Sequence, residues 1–160
     1  MNLDLLLREL HHSENELAHV LLRMSERHKT DHETYHVARD LAGWCNEHVR
    51  DLAEVGKDYG LDLDPSPAGD PSMVGLLREK AAEWLGRRPG PGLLLLGDFR
   101  HLYLVASEVS LDWELLAQAA QGAKRRDLLA LAQRCHPQTL RQLRWANARL
   151  KESAPQALVS

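Results

Sequence analysis

Between Asp127 and Glu152 the chain contains no aspartate or glutamate. That 24-residue gap is basic, and it falls in a stretch with helical periodicity. Cysteine is also scarce: Cys45 and Cys135 are far apart and in no metal-ligand spacing. Both lie in apolar helical stretches, where a free thiol packs as a small hydrophobe. No apolar run approaches the ~20 residues needed to cross a bilayer, so a membrane span is excluded. Met1-Asn2-Leu3-Asp4 lacks the basic start of a secretion signal, and charges interrupt the apolar run that follows. A cytoplasmic protein is the expectation. The net charge is -3, so no global field favours nucleic acid or anionic lipid. The charge is unevenly spread, with fourteen acidic and seven basic residues over 1–64 but one and eight over 123–151. An acidic helix packed beside a basic one accounts for this, and nucleic acid is disfavoured as a partner.

What is present is helix pattern. Leu3, Leu6, Leu10, Leu17, Leu21 and Met24 recur at helical steps. Thr30 or Asp31 can cap a second helix over 32–59, striped by Val37, Leu41, Trp44, Leu52, Val55 and Tyr59. Gly56 weakens its end and Gly60 stops it. Residues 60–71 are a proline-rich connector, followed by a short helix at about 72–86 carrying Met73, Leu76, Leu77, Ala81 and Trp84, with Asp70-Pro71 as its start. Gly86 to Gly92 breaks the chain again. A third long helix over 93–121 carries Leu95, Leu102, Val105, Val109, Trp113 and Leu116. The last spans Lys124 to Lys151, with Pro137 kinking its interior. Residues 1–152 then form one all-α domain, and residues 153–160 a flexible tail.

Loop lengths order the helices. Short turns make hairpins of the first and second and of the third and fourth, and some thirty residues separate the two hairpins. One long crossover, here with a short extra helix, is the arrangement of ferritin-like four-helix bundles. Such bundles bind two irons with one Glu from each of two helices and Glu-x-x-His from each of the others. At mid-helix this chain offers Glu14, His48, Glu108 and His136. Cys45 and Gln133 stand where the two Glu-x-x-His carboxylates belong. The four remaining groups suit one zinc or iron ion, or a hydrogen-bonded polar cluster.

The runs Ser13-Glu14-Asn15-Glu16-Leu17 and Ala18-His19-Val20-Leu21-Leu22-Arg23-Met24 resemble the first helix of the ferritin-like YciF-type family of bacterial stress-associated proteins. Ser110 to Glu114 and Thr139 to Leu150 are similar to its third and fourth helices. The resemblance implies a ferritin-like fold with a metal ligand at Glu14. In this register Gln142 and Asn147 replace acidic residues, and Trp44-Cys45 stands where the family has Glu before His48. The two registers thus name different inward residues on the fourth helix, and neither finds a carboxylate there. The resulting expectation is a non-enzymatic structural or interaction protein with a degenerate di-iron site, acting as a homodimer or with another protein. The alternative is a metal-binding oxidase or storage-type protein.

Two rival motifs are weaker. His32-Glu33-Thr34-Tyr35-His36 matches H-E-x-x-H, a helix-borne zinc site, but at a helix start and with no strand to hold a peptide. His11, His12 and His19 suggest a hemerythrin-like site, which needs more histidine on the last helix than His136 supplies. Lys124-Arg125-Arg126 reads as a solvated turn.

Overall fold

The computed structural model describes residues 2–67, 69 and 90–159. They form four long α-helices: α1 (Asn2–Arg27), α2 (His32–Gly56), α3 (Pro91–Gly122) and α4 (Arg126–Leu158). The short helix expected near 72–86 lies outside the described residues.

The α1 stripe is buried as its spacing predicts, with Leu7 taking the inward place expected of Leu6. Asp31 caps α2, its carboxylate accepting from the Thr34 amide at 3.0 Å. The face α2 buries differs from the expected one. Ala38, Leu41, Ala42, Cys45, His48, Val49, Leu52 and Ala53 point inward, while Val37, Trp44, Val55 and Tyr59 are half-buried flanks. Small and large residues are interspersed on this inward line, and the larger Trp44 and Tyr59 lie at its edges. Of the described tryptophans, Trp113 alone is fully buried.

At Gly56 the α-helix tightens into a 3₁₀ turn (Lys57–Tyr59). Gly60 then reverses the chain at φ 72°. Leu61 and Leu63 fold back against Gly56, where a Cβ would lie 3.2 Å from a Leu63 methyl. At the other hairpin Lys124 takes the left-handed conformation, φ 56°, and the Arg125 amide reaches back to Ala120 O at 2.8 Å.

Helix α4 runs past Lys151 to Leu158, so residues expected to fray are helical. Ser153 is buried and Ala157 packs beside Gly92 at the start of α3, giving this last turn a surface to rest on. Pro137 and Pro155 lie on exposed positions of α4, where the carbonyls they leave unpaired can meet water.

Cross-helix bonds set the topology. Glu14–His48 and Ser25–Tyr35 make α1 and α2 antiparallel. Ser13–Asp112 and Arg27–Asp98 do the same for α1 and α3. Asp51–Arg134 and Asp31–Arg149 do so for α2 and α4, and Ser110–His136 with Phe99–Trp145 for α3 and α4. Every neighbouring pair is antiparallel, so α2 and α3 run the same way. The connection between them therefore joins opposite ends of the bundle. Asp64, whose carbonyl meets His11 at 2.8 Å, and Pro67, beside Gly43 and Glu47, show it setting out back along α1 and α2. The basic α4 does face acidic α2, through Arg134–Asp51 and Arg149 with Asp31 and Glu33.

Candidate functional site at mid-bundle

Glu14 interrupts the leucine stripe of α1 and His48 that of α2. Both point inward for that reason, and the antiparallel hairpin puts them at one level. Glu14 is 0% exposed and His48 1%. His48 Nδ1 donates to Glu14 Oε1 at 2.9 Å, and its Nε2 donates to Gln138 Oε1 at 2.7 Å. A carboxylate against one ring nitrogen favours the charged, imidazolium form of the ring. Burial works against that charge. The neighbouring Cys135 sulfur and the hydrogen-bonded Glu14 carboxylate outweigh it and raise the His48 pKa from 6.5 to about 11.

The α3 contribution is Trp113. Its indole N–H donates to Glu14 Oε1 at 2.7 Å, and its ring meets His48 edge-on at 5.8 Å. Helix α4 lines the floor with Cys135, Thr139 and Gln142, all buried. Gln142 Nε2 donates to Leu41 O at 3.0 Å and reaches Cys45 Sγ at 3.3 Å. Burial, with the nearby Glu14 charge, pushes the Cys45 thiol well above its ordinary range. Cys45 is thus a neutral thiol and a poor nucleophile. Glu14 Oε2 and Gln142 Oε1 are buried with no hydrogen-bond partner.

Of the four residues expected to converge, the structure joins Glu14 and His48. Glu108 is exposed: five residues before Trp113 it lies most of a half-turn around α3, and the tryptophan takes the inward place. His136 is half-buried and shares a 2.9 Å hydrogen bond with Ser110 Oγ instead. Between the two registers for α4, the structure turns Gln142 inward and leaves Gln133 and Asn147 exposed. Among the described residues, no three His, Cys, Asp or Glu side chains converge as a metal site requires. Beside Glu14 and His48 the inward side chains are Cys45, Trp113 and Gln142, none of them a carboxylate that could bridge two metal ions.

Gln138 and Trp113 were not foreseen as partners of the pair. Cys135, Gln138, Thr139 and Gln142 sit at steps of three and four, a polar line along one face of α4 that could have marked it.

The rival motifs resolve elsewhere. His32 and His36 are exposed and their rings stack, centroids 6.4 Å apart. Glu33, the would-be base, accepts from Trp145 at 3.3 Å and Arg149 at 2.9 Å. His11 is bound to the Asp64 carbonyl and His12 is exposed. Lys124, Arg125 and Arg126 are exposed, with Arg125 over the Tyr59 ring.

No protein-family profile, curated protein or solved structure matches the chain.

Proposed function

We propose that the chain is a ferritin-like four-helix protein with a non-enzymatic, structural or interaction role, whose metal centre has given way to a buried ion pair. The observation that carries this is that both ring nitrogens of His48 are already engaged, at 2.9 Å by Glu14 and at 2.7 Å by Gln138. A ring held between Glu14 and Gln138 must give up one of these partners, and any proton on that nitrogen, before it can ligate a metal. The one-crossover order of the helices and the resemblance of α1 to the YciF-type proteins support the ferritin-like part.

A single divalent ion is the second reading. Glu14 Oε2 and Gln142 Oε1, buried acceptors without donors, favour it. It requires His48 to lose its proton first.

Metal analysis of the purified protein after exposure to iron(II) or zinc, with differential scanning fluorimetry, separates the readings. The first expects no stoichiometric metal and no thermal shift. It also expects that Cys45→Glu with Gln142→Glu, which restores two acids beside Glu14, gains a metal-dependent stabilisation. One ion per wild-type chain, lost in His48→Ala, establishes the second. Two irons per chain with oxygen-dependent oxidation overturns both the ion-pair reading and the mononuclear one.

A further inference from the structure

Helix α3 breaks the rule its three neighbours obey. The outward residues of α1 include Arg8, Glu9, His12 and Glu16, and those of α4 include Arg134, Arg141, Arg144 and Lys151. On α2 they include Arg39, Asp40, Glu47 and Arg50. On α3 the outermost line is leucine. Leu93, Leu104, Leu111 and Leu115 are 46%, 50%, 60% and 57% exposed, on a helix that also buries Phe99, Leu102, Val109, Trp113 and Leu116. Arg100, His101, Glu108 and Glu114 are also exposed on this helix, but a line of four exposed leucines is more than the scattered apolar residues of an ordinary surface.

The spacing of this line says what covers it. Leu104 is its centre. Gly97 and Leu111 lie seven residues to either side, and Leu93 and Leu115 eleven. At 3.6 residues per turn, steps of seven and eleven both return to the same face. The leucines at 93, 104 and 115 therefore fall symmetrically about Leu104, with Gly97 standing opposite Leu111. In an isologous contact residue i meets j and j meets i, so this line can pack on its own copy with Leu104 against Leu104 and Leu93 against Leu115. We propose that α3 is the two-fold interface of a homodimer, packing antiparallel on α3 of a second copy with Leu104 on the axis.

In that register Leu93 meets Leu115 of the second copy. Leu111 enters the gap at Gly97, where a Cβ would find no atom within 4 Å. The flanks agree. Two-fold symmetry brings like flanks together in an antiparallel pair. Glu108 then lies beside His101 of the second copy, and Arg100 beside Ser107 of the second copy. No like charges fall opposite one another, and all of these polar groups sit at the edge of the leucine line. The contacting line spans roughly 33 Å at 1.5 Å per residue. This inference is independent of whether the mid-bundle site holds metal.

Light scattering on a sizing column, backed by sedimentation equilibrium, reads the assembly. The wild type is expected at twice the chain mass. Leu104→Glu, which sets a charge against its own copy on the axis, should halve that mass with helical circular dichroism unchanged. Cysteine scanning tests the register and survives any folding defect in that variant, because Cys45 and Cys135 are buried. Under mild oxidation Leu104→Cys should cross-link to itself. Leu93→Cys and Leu115→Cys should cross-link when mixed and not when alone. A monomeric wild type overturns the proposal, as does a dimer that persists in well-folded Leu104→Glu. Self-cross-linking of Leu93→Cys without that of Leu104→Cys overturns it equally.

Discussion

Two histidine–carboxylate clusters join α1 to its neighbours, and they differ chiefly in depth. At mid-bundle, Glu14 and His48 meet at 2.9 Å with side chains 0% and 2% exposed. At the far end of α1, Asp98 takes Arg27 at 2.7 and 3.0 Å and His28 at 2.7 Å, with exposures of 9–16%. The bond lengths are nearly the same. What differs is the fate of a partner left behind: at the rim it can turn to water, whereas at mid-bundle it cannot. Depth, more than geometry, should therefore rank the cost of breaking each pair.

The largest expected effect is Glu14→Ala. It strands the His48 charge and leaves the Trp113 N–H without an acceptor. A loss of about 3–5 kcal/mol is expected in urea unfolding. A cost no larger than that of the rim substitution would break the comparison.

Next comes pH. His48 has its pKa raised on folding, so its stabilisation is complete below about 6.5 and is lost as pH rises toward about 11. Over that window the native state holds a proton that the unfolded chain has released. Unfolding free energy should fall by up to ~1.4 kcal/mol per pH unit. The double variant Glu14→Gln with His48→Gln, neutral at this position, should flatten the slope between pH 7 and 9. Equal slopes for the two proteins would contradict a charged His48.

At the rim, Asp98→Ala should cost less, ~1–2 kcal/mol by the same unfolding assay. Arg27 and His28 keep 13% and 9% of their side chains at the surface, so part of each is already in water. The smallest effect belongs to Arg134 and Asp51, with exposures of 59% and 40% at 3.2 Å. Arg134→Ala should leave the melting temperature unchanged within error, and a clear drop would mean that depth is not the ranking variable.

Glu14 and His48 were legible beforehand because each is a polar residue on an apolar stripe, which period alone reveals. Trp113 was legible only as core, since an aromatic on a stripe looks the same whether or not its N–H holds a carboxylate. Glu108 misled because it stands at mid-helix near the stripe. Its turn away from the core follows from Trp113, whose bulk takes the inward place. Trp44, on the apolar stripe of α2 by period, lies at its edge, and Ala38, Ala42 and Cys45 are buried beside it.

By itself the sequence determined the helices, the breaks at Gly60 and after Gly122, and the pairing into hairpins, all of which depend on neighbours a few residues apart. It also determined that α4 has no acid at mid-helix to give. The tertiary structure decided the rest: that Glu14 meets His48 and Trp113, that Gln142 rather than Gln133 turns inward, and that Leu104, Leu111 and Leu115 stay outside. Periodicity orients each helix about its own axis only to within a fraction of a turn. The last rotation and the level at which two helices meet come from side-chain volumes packing across the core, a property no single segment contains.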